Sequence, residues 1–281
     1  MDLREYVNAY VQMVENRLRE TLPGAGDRPA SLNEAAGYAL ASGGKRLRPV
    51  FCLASAAAAG GRAEDALPAA CAIECLHTYT LVHDDLPCMD NDELRRGKPT
   101  VWKRYGETLA VLAGDVLQAR AFAMLCDAPE RVQGALMREL ASAADGVVRG
   151  QVEDLQSGAV ADRDRLLYVF RHKTGDLFRC ACRMGVICAG GGEDALRAIT
   201  GFSEHLGVAF QIEDDLLDTA QRTGGDGGQE MSCLDLMTEC EARRWCDEET
   251  AAAIAALDSP ALPSVSPFMK ELALKLASRK M

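Results

Sequence analysis

Two groups of aspartates, about 130 residues apart, are the clearest chemical signal in this sequence. Each lies in an apolar, helix-forming stretch, and the members are Asp84, Asp85 and Asp90 in the first group and Asp214, Asp215 and Asp218 in the second. Asp214 and Asp218 are four residues apart, so on a helix they project from one face, about 5 to 6 Å from each other. Oxygen ligands suit Mg²⁺, which takes one or two carboxylates, keeps several waters and often completes its shell with substrate phosphates. The two groups therefore predict one diphosphate clamped through metal ions.

The first group lacks helical spacing, because Pro87 falls inside it. Asp84 and Asp90 are six residues apart, and a straight helix would set them about 120° out of phase. We therefore expect a helix break or bulge near Pro87 that brings Asp90 round towards Asp84. The competing interpretation is a helix end followed by an acidic turn without a metal role.

Positive charge is concentrated in three short segments of an otherwise acidic chain. A glycine pair before a basic turn permits close backbone approach to phosphate, and arginine adds bidentate contacts. Taken singly, each segment could be a solvated helix end, but together with the aspartates they indicate a site for phosphates. The segments are Lys45-Arg46-Leu47-Arg48-Pro49 after Gly43-Gly44, then Arg95-Arg96-Gly97-Lys98-Pro99, then His172-Lys173-Thr174.

Composition narrows the class of protein. The 281 residues are 48% hydrophobic and only 5% aromatic, and alanine is abundant, which favours helices over sheets. Nothing in the composition marks a boundary, so a single domain is expected over residues 1–281. A net charge of −11 without a basic stripe argues against a nucleic-acid binder.

Cysteine usage and the amino-terminal sequence predict a cytoplasmic protein. Eleven cysteines, an odd number without a Cys-x-x-Cys pair, suggest thiols in a reducing compartment rather than disulfides or a zinc site. The first five residues show no signal-peptide pattern, and the longest weakly polar run, 49–61, is too short to cross a bilayer. No membrane span is expected.

Apolar residues recur at three- and four-residue steps along nearly the whole chain, which predicts an all-α protein without strands or hairpins. The glycine-rich segment 222–229 interrupts this pattern and should be a loop, either a lid over the second aspartate group or a plain linker. The expected helices cover 3–22, 31 to about 43, 65–86, 107–127, 130–156, 163–189 and 199–220, with a terminal helix beginning at Pro267.

Two of these helices carry capping signals. Ser31 and Glu34 have the spacing of a capping box for the second helix, and Ser266 before Pro267 is typical of an N-cap followed by proline at the first helical position. The first helix should stop at Pro23-Gly24.

A metal-dependent phosphohydrolase is an alternative function, because histidines accompany the first aspartates. Its dinuclear site would use His77, His83, Asp84 and one distant aspartate, but it would leave the second aspartate group and the Gly-Gly-Lys turn unexplained. His205, alone among apolar neighbours, is expected to be a satisfied helical histidine rather than a ligand.

The ordered set of motifs closely resembles the isoprenyl diphosphate synthases. The resemblance covers roughly residues 30 to 220, and the insertion in the first aspartate motif looks like the bacterial short-chain farnesyl type or the plant geranylgeranyl type. It is carried by the basic turn 43–49, His77, the first aspartate motif 84–92 running into 94–100, Lys173-Thr174, and Phe210-Gln211 ahead of Asp214-Asp215 and Asp218.

This resemblance implies an isoprenoid synthase fold, a bundle of about ten or more helices around a central cavity, with the two aspartate motifs facing each other. It implies a prenyltransferase that condenses isopentenyl diphosphate head-to-tail with an allylic diphosphate such as dimethylallyl or geranyl diphosphate. It also implies three Mg²⁺ ions, for which Mn²⁺ could substitute, and a homodimer.

The resemblance further implies a role for each site residue. The metal ligands would be Asp84, Asp90 and Asp214, with Asp85, Asp215 and Asp218 in support. The allylic diphosphate or its developing cation would contact Arg95, Lys173, Thr174 and Gln211. Isopentenyl diphosphate would be held by Lys45, Arg48, His77 and Arg96. The catalytic set would be Asp84, Asp90, Asp214, Arg95 and Lys173, and the departing diphosphate would accept the proton.

Product length should depend on the cavity wall beneath the first aspartate group. Tyr79 lies about 7 Å along the same helix from Asp84, with Thr80 beside it. An aromatic there resembles the farnesyl-forming enzymes, so a C15 farnesyl product is expected, with C20 geranylgeranyl or C10 geranyl diphosphate as alternatives. A tyrosine packed away from the cavity is the competing interpretation.

The chain departs from the family pattern after Asp218, where the usual lysines are missing and no lysine occurs between Lys173 and Lys270. Losing one charge-assisted phosphate contact costs on the order of 1.5 to 3 kcal/mol, which weakens catalysis without abolishing it; Arg222 could substitute from one side. A weakly active or non-catalytic partner subunit is therefore an alternative. A class I terpene cyclase is another, but it would not need the pocket of Lys45, Arg48 and His77.

Overall fold

Helices form the framework of the protein, as the apolar periodicity predicts. The structure, a computed structural model, describes residues 2–21, 28–156, 162–218 without the Asp218 side chain, and 231–278. Its α-helices are α1 (Leu3–Thr21), α2 (Ala30–Ala41), α3 (Leu47–Ala58), α4 (Leu67–Asp84), α5 (Val101–Tyr105), α6 (Glu107–Met124), α7 (Glu130–Leu155), α8 (Arg163–Val169), α9 (Asp176–Cys188), α10 (Glu193–Asp218), α11 (Glu239–Ala256) and α12 (Pro267–Ser278). The all-α prediction is confirmed.

Most predicted helix ranges agree with the structure to within a few residues. The 65–86 helix is α4, entered through a 3-10 turn at Ala63–Ala66, and the 107–127 helix is α6 with a 3-10 continuation at Leu125–Asp127. The prediction for 199–220 began too late, because α10 starts at Glu193. The expected stop at Pro23-Gly24 lies outside the described residues.

One predicted helix, 163–189, is interrupted. A π-helical turn at Phe170–Gly175 separates α8 from α9. Two glycines on neighbouring helices give this wider turn room: a Cβ on Gly150 of α7 would collide with the backbone of Lys173, and one on Gly207 of α10 would lie 2.8 Å from the Cα of Gly175. Such turns are rare and are frequent at functional sites. Periodicity did not reveal it, because one extra residue in a turn barely disturbs an apolar pattern.

The capping prediction for the second helix is wrong, whereas that for the last helix is confirmed. Helix α2 begins at Ala30 after Pro29 and has no side-chain cap, so Ser31 already lies inside its first turn. Ser266 accepts a hydrogen bond on Oγ from the backbone N–H of Phe268 at 3.2 Å, ahead of α12.

A small hairpin contradicts the expectation that the chain contains no strands. Two-residue strands β1 (Leu94–Arg95) and β2 (Lys98–Pro99) pair antiparallel. Arg96 and Gly97 between them have φ values of 54° and 73°, as a type I′ turn requires at both central positions. The Arg-Gly pair lacks the asparagine or aspartate that usually marks such a turn, so the hairpin was not predicted from the sequence. The hairpin holds Arg95 and Arg96 together.

Apolar side chains of α3, α4, α9 and α10 contribute to the two largest core clusters. Phe51 of α3 is fully buried and lies 6.1 Å from the ring of Phe178 on α9 and 5.7 Å from that of Phe202 on α10. Aromatic pairs at such separations add to the gain from burial. These ring contacts hold α3, α9 and α10 together.

Within the described ranges, one helix is long and apolar enough to cross a membrane by length and composition alone. It is α6 with its continuation, Glu107–Asp127, and 39% of its most apolar window is buried in the structure. Core helices of globular proteins pass the same test, so length and composition alone do not make α6 a membrane span. This helix is longer than the weakly polar run at 49–61.

Candidate active site

A single cavity of about 960 Å³ collects most of the predicted site residues from distant parts of the chain. A volume of this order accommodates a small-molecule ligand. The predicted residues that line it are Lys45, Arg48, His77, Tyr79, Thr80, Asp84, Arg95, Arg96, Lys173, Thr174, Gln211 and Asp214. The other predicted aspartates with described side chains, Asp85, Asp90 and Asp215, are not among its lining residues.

The first aspartate group sits on a helix end that folds back on itself. Helix α4 ends at Asp84, and the backbone N–H of Asp90 donates to the carbonyl of Asp84 at 2.8 Å. Asn91 follows with a φ of 56°, the left-handed conformation that asparagine tolerates better than most residues. The break expected near Pro87 is therefore present, and it brings the backbone of Asp90 against that of Asp84.

The Asp84 carboxylate is in an environment that favours a cation. Burial raises its pKa to about 7, with Asp90 and Asp85 adding to the effect and Lys173 and Arg95 opposing it. Buried like charges of this kind are stabilised when a cation neutralises them. Asp84 and Asp214 line the same cavity and offer only oxygen atoms.

This donor set fits magnesium. Among the described residues, no three histidine, cysteine or acidic side chains form a metal cage by themselves. Mg²⁺ does not need such a cage, because it is usually bound by one or two carboxylates together with waters and substrate phosphates. Carboxylates on separate helices around an open cavity suit that mode of binding.

Asp85 is not among the lining residues of the cavity, and it holds an arginine that is. Its buried carboxylate accepts a hydrogen bond from Nε of Arg95 at 2.6 Å. Burial raises the pKa of Asp85 to about 6, and the Arg95 charge opposes that rise. Arg95 also lies 3.5 Å from Asp92 and lines the cavity. Asp85 thus orients a predicted substrate-binding group.

Arg48 and His77 form the interior of the basic half of the cavity. Nη1 of Arg48 lies 3.3 Å from Nε2 of His77, and its guanidinium carbon is 4.7 Å from the centre of the Phe178 ring. Burial lowers the pKa of Arg48 to about 10, opposed by Glu74 and Asp214. Burial and the neighbouring arginines keep the pKa of His77 well below its usual value. The imidazole is therefore neutral and accepts at Nε2, which leaves the proton on Nδ1.

Two donors in this half have no protein partner among the described residues. They are Nε of Arg48 and Nδ1 of His77, both buried. Buried donors without an acceptor are costly and rare in native structures. Phosphate oxygens in the cavity would supply the acceptors that these groups lack.

The glycine pair ahead of the basic turn makes room for an arginine. Gly44 has a φ of +130°, and a Cβ there would lie 2.6 to 2.9 Å from the Arg96 guanidinium. Arg96 donates from Nη1 to the carbonyl of Gly43. Lys45 is exposed at the cavity. The close approach that the sequence assigned to phosphate is thus made by Arg96 in this structure.

Arg46 is an internal anchor that sequence reasoning did not distinguish from its neighbours. It is 4% exposed, has a left-handed φ of 49° and donates to Glu15 and Glu74 at 2.6 Å each. It also donates to the carbonyl of Leu40. The turn that presents Lys45 and Arg48 is therefore tied to α1, α2 and α4. An acidic residue within the apolar sequence of α4, Glu74, was the available signal.

The π-helical turn presents Lys173 and Thr174 to the cavity. Thr174 donates from Oγ1 to Gln211 Oε1 at 2.7 Å, and Gln211 donates from Nε2 to Asp215 at 3.2 Å. Lys173 donates from Nζ to Asp154 of α7 at 2.6 Å. Asp154 is buried, and sequence reasoning missed it, although a lone aspartate on the buried face of α7 could have drawn attention.

The aspartates of the second group differ in role. Asp214 lines the cavity, whereas the buried Asp215 accepts a hydrogen bond from the backbone N–H of Cys233 at 2.7 Å. Asp154 similarly accepts from the backbone N–H of Met231 at 3.1 Å. Two carboxylates thus hold the backbone of Met231 and Cys233. The segment 222–229, predicted to be a loop that is either a lid or a plain linker, lies outside the described part, as does the Asp218 side chain.

The histidines separate the alternative functions. Nε2 of His83 contacts the carbonyl oxygen of Val111 on α6 at 2.9 Å, and Nε2 of His77 faces Nη1 of Arg48 at 3.3 Å. Among the described residues, His77, His83 and Asp84 do not form a metal-binding group, so the structure does not support the dinuclear phosphohydrolase site. Nδ1 of His205 contacts Glu249 on α11 at 2.6 Å, so its expected structural role is confirmed.

Tyr79 and Thr80 lie where the sequence placed the wall of the cavity. Tyr79 is 7% exposed and lines the cavity. Thr80 lines it too, and its hydroxyl donates to the carbonyl of His77 at 2.8 Å. The interpretation in which Tyr79 packs away from the cavity is therefore wrong.

Sequence comparison places this arrangement among known proteins. The profile of the polyprenyl synthetase family matches residues 29–232. A farnesyl diphosphate synthase from Geobacillus stearothermophilus is 42% identical over 229 residues, which are 78% of this chain and 76% of the relative. The large subunit 1 of a heterodimeric geranylgeranyl pyrophosphate synthase from Arabidopsis thaliana is 41% identical over 233 residues. That match covers 78% of this chain but only 62% of the plant protein.

Structure comparison agrees along nearly the full length. The crystal structure of an FPP/GFPP synthase from Zymomonas mobilis, in its apo form, superposes with a TM-score of 0.88 and 35% identity. The match covers 98% of both chains. A geranyltransferase from Legionella pneumophila superposes with a TM-score of 0.89 at 28% identity, over 99% of this chain and 98% of the other.

Proposed function

The chain belongs to the polyprenyl synthetase family, whose relatives here are prenyltransferases, and from that membership we propose that it condenses isopentenyl diphosphate with an allylic diphosphate. The observation that carries the proposal is the single cavity lined both by Asp84 and Asp214 and by Arg48 and His77. A site for one diphosphate would need only the acidic half of the cavity or only the basic half. Two chemically different halves suit two diphosphate substrates.

The acidic half is assigned to the allylic substrate. Mg²⁺ held by Asp84 and Asp214, with Asp90 nearby, would neutralise the allylic diphosphate and stabilise it as a leaving group. Lys173 and Arg95 add positive charge at the same cavity. The role of Asp85, Asp215 and Asp218 as ligands stays a prediction, and the first two are engaged by Arg95 and by the Cys233 backbone.

The basic half is assigned to isopentenyl diphosphate. Arg48 and His77 would donate from their unpartnered nitrogens to its phosphate oxygens, and Lys45 and Arg96 would add charge at the opening. Guanidinium groups bind phosphate bidentately, which fixes orientation as well as position. Orientation matters, because the double bond must face the reacting carbon of the other substrate.

The reaction then balances without a further reagent. The bond between the allylic carbon and the diphosphate oxygen breaks, the double bond of isopentenyl diphosphate forms a bond to that carbon, and a proton is lost to restore a double bond. The released diphosphate accepts this proton. Thr174 and Gln211, hydrogen-bonded to each other beside the cavity, offer their oxygen atoms to the developing positive charge. Exclusion of water protects that charge from capture.

We assign farnesyl diphosphate, C15, as the product. Tyr79 supports this, because an aromatic ring in the cavity wall leaves less space for a hydrocarbon chain. The relatives named above include a farnesyl diphosphate synthase and a subunit of a geranylgeranyl pyrophosphate synthase, so C20 is the second candidate.

A homodimer is proposed as the working assembly. Val111 and Leu112 on α6 are 41% and 47% exposed, and apolar side chains of this size on one helix suit a protein interface. An Arabidopsis relative is named as a large subunit of a heterodimer, so pairing with a different subunit is the alternative. All eleven cysteines are free, which supports a reducing, cytoplasmic location.

The test is product formation from isopentenyl diphosphate with dimethylallyl, geranyl or farnesyl diphosphate in the presence of Mg²⁺. Chain length is read by chromatography after the phosphates are removed. A product one isoprene unit or more longer than the primer supports the proposal. Cyclised products formed without isopentenyl diphosphate would instead indicate a terpene cyclase.

A further inference from the structure

His83 links the aromatic wall residue Tyr79 to the neighbouring helix α6. The two rings are one helical turn apart on α4, with centroids 5.4 Å apart and an interplanar angle of 87°. This edge-to-face geometry is a favoured aromatic arrangement. On its other side, Nε2 of His83 contacts the carbonyl oxygen of Val111 at 2.9 Å. The imidazole thus lies between the backbone of α6 and the Tyr79 ring.

Gly114 on α6 provides the space for the His83 ring. A Cβ at this position would lie 2.9 Å from Cε1 of His83 and still closer to Nε2 and Cδ2. Gly114 lies in the interior of α6 and is buried, where glycine is unfavourable compared with alanine. The histidine explains this glycine. Any other residue type at position 114 would clash with the His83 ring where it now lies.

We propose that His83 is a positioning residue for product length. It keeps the Tyr79 ring across the cavity, and the ring sets where the hydrocarbon tail of the growing prenyl diphosphate must stop. Both side chains line the cavity, and His83 acts on the tail through Tyr79. The inference rests on the proposed prenyl transfer and adds the device that determines how long the product becomes.

The test compares product-length distributions, normalised to total product, for His83→Ala, Gly114→Ala and Tyr79→Ala. Each variant is expected to raise the fraction of products longer than the main wild-type product several-fold. The double variant Tyr79→Ala with His83→Ala should give no longer products than Tyr79→Ala alone, because both changes remove the same barrier. A variant that only loses stability would lower total turnover without lengthening the product.

Matched controls come from the same chain. Gly134→Ala changes a helical glycine whose added Cβ would meet nothing closer than Arg138 at 3.8 Å, and His205→Ala removes a histidine remote from the cavity. Both should leave product length unchanged. His83→Phe keeps a ring beside Tyr79 and should stay closer to the wild type than His83→Ala, which provides a second variant if the alanine form folds poorly.

The outcomes are distinguishable. An active wild type whose product lengths are unchanged in His83→Ala, His83→Phe and Gly114→Ala would overturn the role of His83 and leave the proposed function standing. Lengthening in Tyr79→Ala but not in the His83 and Gly114 variants would likewise overturn the role of His83 and leave the proposed function standing. A wild type that forms no prenyl product from isopentenyl and allylic diphosphates would overturn the proposed function, and the inference with it.

Discussion

Asp215 accepts a hydrogen bond from the backbone N–H of Cys233 at 2.7 Å, so the middle aspartate of the second group faces the protein interior while Asp214 beside it lines the cavity. Adjacent residues on a helix point about 100° apart, which allows one motif to serve both substrate and fold. The two carboxylates should therefore respond differently to the same substitution.

Asp214→Asn is expected to lower kcat/KM at least ~100-fold, since removing a charge that binds through a metal costs several kcal/mol of transition-state stabilisation. Asp215→Asn should lower the free energy of unfolding by about 1 to 3 kcal/mol, because the Cys233 N–H loses a charged acceptor. Steady-state kinetics and urea unfolding of both variants provide the measurement. Equal losses of activity with no difference in stability would contradict this division of roles.

Arg46→Met should destabilise the protein. It removes the partner of the buried Glu74, and breaking a buried ion pair from one side typically costs about 3 to 5 kcal/mol. Arg19→Met is the control, because Arg19 is largely exposed and lies 4.0 Å from Glu15, a contact worth roughly 0 to 1 kcal/mol. Urea unfolding midpoints measure both. Similar midpoints for the two variants would show that the Arg46 network is not a stabilising anchor.

Arg48→Met tests the assignment of the basic half. It removes the donor that faces His77, and the loss of one charged hydrogen-bond donor should raise KM for isopentenyl diphosphate by roughly 10- to 100-fold. KM for the allylic diphosphate should change little. Arg62→Met, at an exposed arginine, is the matched control. An equal rise in both KM values would mean that Arg48 does not distinguish the two substrates.

Tyr79→Ala tests the wall of the cavity. Removing the ring should open space below Asp84, so the main product is expected to shift from C15 towards C20. Product chromatography with dimethylallyl and geranyl primers measures the shift. If the variant keeps the wild-type product, Tyr79 does not limit chain length.

Much of the helical framework follows from the sequence, because long amphipathic helices repeat their signal many times. Helix α7 agrees with its predicted range to one residue. The π-helical turn was missed, since its cause lies in Gly150 and Gly207 on other helices. The hairpin was missed because its turn uses Arg96 in a left-handed conformation, which depends on tertiary contacts rather than on local preference.

The residues of the candidate site could be predicted from the sequence, but the directions of their side chains could not. The sequence motifs predicted that Asp84, Asp214, Arg48 and Lys173 belong to one site. All four line the cavity. The motifs could not show that Asp85 turns to Arg95, because the direction of a side chain depends on what packs beside it. Asp154 was missed for the same reason: its partners are 19 and 77 residues away in the chain.

The most direct test of prenyl transfer at this cavity is the rate of diphosphate release from isopentenyl diphosphate plus geranyl diphosphate, measured with Mg²⁺ and again after chelation by EDTA. We predict release in step with C15 product, dependence on both substrates, abolition by EDTA, and a loss of at least ~100-fold in Asp84→Asn. Retained binding of both diphosphates with no turnover would contradict this and indicate a non-catalytic partner subunit. Release that does not require isopentenyl diphosphate would contradict it equally.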